Sequence, residues 1–395
     1  MANPYAALLR VRGGAAFSLA GLVARLPLSM LTVVIVLLVS STTGSYGLGG
    51  LAAAVYTVPE ALAGPLTSRW ADTAGQHRVL PWLAGANVAA LLGFVALADA
   101  HAPLVALLGL LAVAGAAQPN VGALVRSRWA AALGGSAVLT TAFSWESVAD
   151  EVVFTVGPVL VTALAAALGP SPALLVTLGF TVVGTAALTV LRASEPAPHP
   201  RGPRSQAPGV AGLAGMWVLV VALTANGFLF GVVQVAVIAF TGGQAGHPLE
   251  AGVILAAWSV GSMGAGIVYG AMHPGAPLAR QLGVLAALVP VSVLVLPFLR
   301  TGVGLGVGLA LSGLVVAPVL IVCTRLIERI APVGRLTEAL AWVGTGLTLG
   351  FAAGSAVGGV TVQRLGTTAA FVVAVVGGLL TTAAAWGGRR WLPAD

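Results

Sequence analysis

Between Ala137 and Leu168 an otherwise apolar stretch, AVLTTAFSWESVADEVVFTVGPVLVTALAAAL, carries three carboxylic acids, Glu146, Asp150 and Glu151. Its length and composition predict a helix that crosses a membrane, where a carboxylate at the centre costs roughly 2.5–3.5 kcal/mol. Counted from Leu139 at about 1.5 Å per residue, Asp150 lies ~16 Å deep, near the middle of a ~30 Å hydrocarbon core. Glu146 and Asp150, four residues apart, share a helix face. Glu151 points about 100° away from Asp150. Acids at that depth either pair and stay buried or handle ions and substrate, and the second role is the usual one. Arg25, in LAGLVARLPLSML, is the one cation expected at comparable depth. A guanidinium keeps its charge in any protein environment, so Arg25 must find an acid. Glu60 follows Pro59 in AVYTVPEALAG, nearer one end of its span. It either faces a cavity or pairs with an arginine under the surface. One cation against four acids cannot stay fully ionised cheaply, so at least one acid is expected to hold a proton at rest. That excess is the physical basis for expecting proton coupling.

The elements that must position these groups are helices. The 395 residues are 58% hydrophobic and only 7% charged, which describes a polytopic membrane protein. Twelve spans are expected, at about 14–39, 46–68, 79–99, 103–125, 137–168, 171–191, 213–241, 250–272, 281–299, 302–324, 336–362 and 367–387. The 18 basic residues are all arginine. Without lysine there is no P-loop lysine for a self-contained ATP-driven pump and no Schiff base. Net charge +7 does not point to nucleic acid, because the arginines sit in short loops between apolar runs. Cys323 is alone, so no disulfide forms within one chain. The apolar run after Arg10 and Arg12 is too long for a signal peptide and closes on no cleavage site. Fifteen of the arginines, Arg126 and Arg128 among them, fall on one side of the membrane, against Arg300 and Arg364 on the other. The positive-inside rule then puts both termini in the cytoplasm, with a cytoplasmic (inner) membrane location.

The longest break, Arg192–Gly212, holds five prolines and no apolar periodicity. It is expected to be a cytoplasmic linker between a bundle over 1–191 and a second over 213–395. The halves repeat: Pro119 and Arg126 in QPNVGALVR reappear as Pro318 and Arg325 in APVLIVCTR, at one offset of 199 residues. A six-span unit repeated in the same orientation implies a pseudo-twofold axis along the membrane normal. The loop between spans two and three, TSRWADTAGQHRVL, resembles the signature loop of the major facilitator superfamily, usually Gly-x-Leu-Ala-Asp-Arg-x-Gly-Arg-Arg/Lys. Asp72, Gly75 and Arg78 match; Ser68 stands for glycine, and Gln76 and His77 replace basic residues. Gly75 permits a tight turn, and Asp72 can meet a helix N-terminus or an arginine.

The resemblance covers the whole chain and implies an all-α membrane protein, twelve transmembrane helices in two pseudo-symmetric six-helix bundles. It implies that the loop with Asp72, Gly75 and Arg78 latches the halves on the cytoplasmic side. It also implies that spans one and five share the central cavity, making Asp150 or Glu151 the expected partner of Arg25. Gly157-Pro158 resembles the glycine-proline pattern that proton-antiporting exporters of the family carry on span five, and an interior proline bends a helix. The arginine that drug antiporters place early in span four is missing from His101–Leu107, and Arg25 is expected to stand in for it.

Spans seven to twelve have no ionisable group at depth beyond Glu338, a few residues into span eleven. Asn226, Phe230, Gln234, Trp258 and Trp342 are the candidates there for an amphipathic organic ligand; aromatics facing lipid are the plainer reading. Gly350, Gly354 and Gly358, like Gly266 and Gly270, are expected at close helix contacts. No histidine falls in a span and no metal-ligand cluster exists, so an enzyme, a metal site and a cofactor are not expected. The expected function is proton-coupled export of an amphipathic small molecule, cations among the candidates, by alternating access. Protons and the bilayer are the other partners, and the protein is expected to be a monomer. The alternatives are an importer or exchanger of a polar nutrient, and a lipid-handling or sensing protein without small-molecule turnover.

Overall fold

The computed structural model describes residues 4–44, 46–100, 102–134, 136, 138–199, 209–243, 248–272 and 275–393. Those residues form helices and no strand. A short α1 (Pro4–Leu9) precedes α2 (Gly14–Thr43), α3 (Tyr46–Ala74), α4 (Gln76–Asp99), α5 (Leu104–Ala116), α6 (Val121–Leu133), α7 (Val138–Leu168) and α8 (Pro170–Val190). After the linker come α9 (Ala214–Gly243), α10 (Pro248–Met272), α11 (Leu278–Val293), α12 (Gly302–Ile330), α13 (Leu336–Leu365) and α14 (Thr367–Gly387). Among the described residues, eleven spans are long and apolar enough to cross a membrane, with α5 and α6 together counted as one. The more polar α3, which carries Glu60, Arg69 and Asp72, completes a set of twelve. Arg201 and Arg204 of the linker lie outside the described residues.

The fourth span breaks where the sequence removes helical bonding. Pro119 has no N–H to donate. The Asn120 side chain caps α6 by accepting from the Ala123 N–H at 3.2 Å, as a capping side chain does. The turn opens Gln118 to the Tyr56 hydroxyl, which donates to it at 3.1 Å. The helix then resumes and runs to Leu133, well past the end expected near residue 125. Arg126 and Arg128 therefore sit inside a helix rather than in a loop.

Apolar residues collect into two clusters built from residues 8–188 and one built from residues 210–392, which Ala123 joins. Within the second half, α9 and α13 pack backbone to backbone. A Cβ added at Gly350 would lie 2.0 Å from the Thr224 carbonyl oxygen, and one at Gly354 would lie 2.0 Å from that of Phe228. The glycine stripe is thus a packing surface, as its spacing predicts.

Between the halves, α3 packs on α13 and α7 on α10. The Thr345 hydroxyl donates to the Ala61 carbonyl at 2.5 Å, and Thr141 donates to that of Gly270 at 2.8 Å. The Tyr5 hydroxyl of α1 donates to the Ile267 carbonyl at 2.7 Å. The contacts of Thr141 and Tyr5 lie near the end that bears the N-terminus, whereas Thr345 and Ala61 meet midway along α3 at the cavity. Replacing Gly350 with alanine should destabilise the protein by about 1–3 kcal/mol through overpacking, whereas Gly359, with open space around its Cβ position, should tolerate the same change. Thermal unfolding in detergent checks this: equal midpoints for Gly350→Ala and Gly359→Ala would mean the two helices are not locked.

Candidate functional site

Arg25 lies midway along α2, 2% exposed, and spends its guanidinium on three acceptors. Nε donates to the Gly21 carbonyl at 3.1 Å, Nη1 to Asp150 Oδ1 at 2.7 Å, and Nη2 to Glu146 Oε2. Glu146 is fully buried, and its other oxygen accepts from Ser18 Oγ at 2.7 Å and from the Trp129 indole N–H at 2.8 Å. Charge and hydrogen-bonding capacity are matched, which a buried ion pair requires. Helix spacing makes this possible, because Glu146 and Asp150 are one turn apart on the face of α7 that meets α2. Gly157 lets the two helices approach: a Cβ there would meet Ser29 Oγ at 1.9 Å. Pro158 lies inside α7, and next to the carbonyl it leaves without a donor, Ser29 donates to Val153 at 2.8 Å.

Asp150 continues outward to a second cation. Its Oδ2 accepts from Arg126 Nη2 at 2.6 Å. The Asp150 side chain is 33% exposed and that of Arg126 15% exposed. Arg25, Arg126, Asp150 and Glu60 all line one cavity of about 260 Å³. Gln118 and Asn120 join them from the first bundle, and Leu320, Thr324, Val343, Thr345 and Thr348 face them from the second. The cavity is polar on one wall and mostly apolar on the other.

Several sequence-based expectations change here. Arg25 is not the one cation at depth, because Arg126 shares Asp150 with it. The acid excess shrinks accordingly, to two cations against four acids. Glu146 is the most buried member of the cluster and pairs with Arg25 in place of Glu151. Glu151 turns the other way, to the neighbourhood of Ser259 and Ser262 on α10, and does not line the cavity. Asn226, Phe230, Trp258 and Trp342 do not line it either. Phe230 packs edge-on to Trp258 at 5.1 Å, Trp342 packs on Trp217 at 5.6 Å, and Asn226 is buried within the second bundle. Gln234 lies further along α9, also off the cavity. Glu60 does line it, and no base among the described residues lies within ion-pair distance of its carboxylate. The sequence paired Arg126 with Arg325 through the repeat, and in the structure both lie inside helices, α6 and α12.

The last turn of α3, where the sequence suggests a loop, meets the second bundle through Asp72. Asp72 Oδ2 accepts the Glu338 backbone N–H at 3.0 Å. The carboxylate thus caps the N-terminus of α13, where unpaired donors and the helix dipole favour an anion. Arg69 Nε stands 3.8 Å from Glu338. Gly75 has φ 96°, a conformation that favours glycine. Arg78, by contrast, is exposed. Gln76 and His77 are anchored instead: Arg128 Nε donates to Gln76 Oε1 at 2.7 Å, and His77 Nδ1 lies 2.9 Å from Glu195 of the linker. Arg128 also donates to the carbonyls of Leu188 and Leu191 and to Ser194 Oγ. The substitutions in this loop therefore fasten it to the start of the linker.

The sequence model of the Major Facilitator Superfamily matches residues 17–307. The chain belongs to the major facilitator superfamily. Its fold is that of known transporters. It is similar to the human organic anion transporter MFSD10 (TETRAN), with 19% identity over 94% of this chain and 98% of that one, at a TM-score of 0.74. It is also similar to a bacterial homologue of the iron transporter ferroportin in an outward-facing state, with 15% identity over 95% of this chain and 98% of that one, at a TM-score of 0.78. No curated protein matches it. At these identities the structural likeness establishes the fold, and with the family it makes the protein a multi-pass membrane protein with the transporter fold.

Two outcomes follow. Glu146→Gln should destabilise more than Asp150→Asn, by roughly 3–5 kcal/mol for breaking a buried pair, because Glu146 has no exposed route to relief. Thermal midpoints of the two variants in detergent measure it, and the reverse order would mean the buried pair is not what holds α2 to α7. Asp72→Asn should weaken the cap on α13 and part the ends of α6 and α12. Spin-label distances between those ends should lengthen; an unchanged distribution in a folded variant would deny Asp72 a latching role.

Proposed function

We propose that the protein is a proton-coupled exporter of a small amphipathic molecule, with a cationic group preferred, that works by alternating access. The observation that carries this reading is Glu60, an acid on the cavity wall without a basic partner among the described residues. Arg25 is balanced by Glu146 behind the wall, and Asp150 by Arg126 at its rim. With those charges cancelled, an ionised Glu60 leaves the cavity one negative charge in excess. Asp150 would have to give up two ion pairs to take a proton; Glu60 gives up none. Proton and cationic ligand therefore compete most readily at Glu60, and mutual exclusion at one site is the linkage an antiporter needs. The apolar wall of Leu320, Val343 and Leu347 suits the hydrophobic part of such a ligand.

The orientation goes with this reading. Both termini and the linker lie in the cytoplasm of an inner membrane, because the arginine bias survives the removal of Arg126 and Arg128 from the loop count. The latch of Asp72 on α13 then closes the cytoplasmic side, and a proton arriving at Glu60 from outside drives the ligand off. Gly157-Pro158, packed against Ser29, is where α7 can flex as the halves rock. Of the four acids that could carry the coupling proton, Glu60 takes that role in this reading, with Asp150, Arg25 and Glu146 holding the wall that presents it.

In vesicles, Glu60→Gln should abolish uptake driven by a pH gradient and leave downhill exchange of ligand in place, with thermal stability close to wild type. Full gradient-driven uptake by Glu60→Gln would remove Glu60 as the coupling acid. Tags at either terminus should be shielded from outside in intact cells; labelling of either from outside would invert the orientation.

A further inference from the structure

Arg25 and Arg126 share one carboxylate but are held very differently. Arg25 is buried and fixed by three acceptors. Arg126 has one strong bond, to Asp150 at 2.6 Å, and one long one, to the Gly122 carbonyl at 3.4 Å. It is the more exposed of the two, and its partner Asp150 is one-third exposed to the cavity. Of the bonds that hold Asp150, the one to Arg126 is therefore the one that can exchange. What would replace Arg126 there must offer a cation with hydrogen-bonding or close Coulombic reach to Asp150 Oδ2, from the cavity side.

We propose that Arg126 is a tethered counter-cation: it holds the Asp150 oxygen that a cationic ligand would take, and so sets how tightly such ligands bind. This deepens the reading of the cavity as a cation site and rests on it. The two acids on the cavity wall, Glu60 and Asp150, are then not equivalent. Glu60 is open to any cation. Asp150 is open only to one that displaces Arg126. A ligand with a single compact cation meets Glu60 first and gains Asp150 only at the expense of an ion pair. Arg126 thus raises the affinity threshold and favours ligands whose cation can serve both carboxylates. An arginine that bound the ligand directly would act in the opposite sense, since it would attract anions and its loss would weaken their binding.

The test uses three single-ring probes that differ in charge, benzyltrimethylammonium, benzyl alcohol and benzoate, titrated calorimetrically into the full-length protein in lipid nanodiscs. Arg126→Gln should bind benzyltrimethylammonium roughly two- to fivefold more tightly than wild type, the scale of one partly exposed ion pair. Benzyl alcohol should be unaffected, and Arg126→Lys, which keeps the charge, should stay near wild type. Asp150→Asn, which removes the contested carboxylate, should show no such gain when combined with Arg126→Gln. Unchanged or weaker binding of benzyltrimethylammonium by folded Arg126→Gln, or loss of benzoate binding in that variant, would overturn the proposal. Should Arg126→Gln fail to fold, Arg126→Lys combined with Asp150→Glu, which keeps both charges and changes their reach, must alter benzyltrimethylammonium affinity, and no change would overturn it as well. Absence of cation binding in wild type and Glu60→Gln alike, with a gain in Arg126→Gln, would remove the cation-site role of Glu60 while leaving Arg126 as the competitor.

Discussion

A guanidinium that cannot discharge, placed inside an apolar bundle, has to be matched charge for charge and bond for bond. Arg25 is matched by Glu146, Asp150 and the Gly21 carbonyl, and much of the first bundle follows from that requirement. It fixes the face that α7 turns to α2. It explains a close approach at Gly157 that leaves no room for a Cβ. It recruits Trp129 and Ser18 to the remaining oxygen of Glu146. Removing one partner would leave an uncompensated charge in low dielectric, which costs far more than the intact pair contributes. The cluster is thus weak as a source of net stability and strong as a constraint on geometry.

That constraint arranges the charges in a chain that runs from a buried pair to the cavity. Arg25 and Glu146 form the sealed base, Asp150 bridges, and Arg126 faces the cavity with Glu60 on the same wall. The second bundle supplies no charge there and answers with threonines and aliphatic side chains. The two seams that join the bundles are also unlike each other. At one, the carboxylate of Asp72 meets the donor end of α13. At the other, the hydroxyls of Thr141 and Tyr5 donate to carbonyls near the acceptor end of α10. The corresponding stretch of the second half, YGAMHPGAPLAR, has no acid, and backbone carbonyls do the accepting. Both seams use the unpaired groups of helix ends, which lets them part without stranding a buried charge.

The architecture was legible in the sequence because hydrophobic length and arginine bias are averages over many residues. The membrane-spanning helices and the meeting of Asp72 with a helix N-terminus were readable from pattern. The site was harder, because a single helix end decides it. Hydropathy ends the fourth span near residue 125 and so makes Arg126 a loop arginine. In the structure Asn120 restarts the helix after Pro119, and Arg126 is carried to the cavity. Partner choice among Glu146, Asp150 and Glu151 depended on helix rotation, which spacing narrows to a face but does not aim at a neighbour. The aromatics of the second half show the same limit. Phe230, Trp258 and Trp342 fill space between helices, and an aromatic in an apolar span has the same sequence signature whether it packs or binds.

Proton and ligand exclusion at the cavity wall is where these features meet, and it has a direct readout. Binding of a cationic probe to the purified protein in weakly buffered solution, followed by calorimetry in buffers of different ionisation enthalpy, counts protons exchanged per ligand bound. Exclusion at Glu60 predicts proton release on binding at pH values where the ligand-free site holds its proton, and no release from Glu60→Gln. Binding with no proton exchanged by the wild-type protein across the accessible pH range would contradict it.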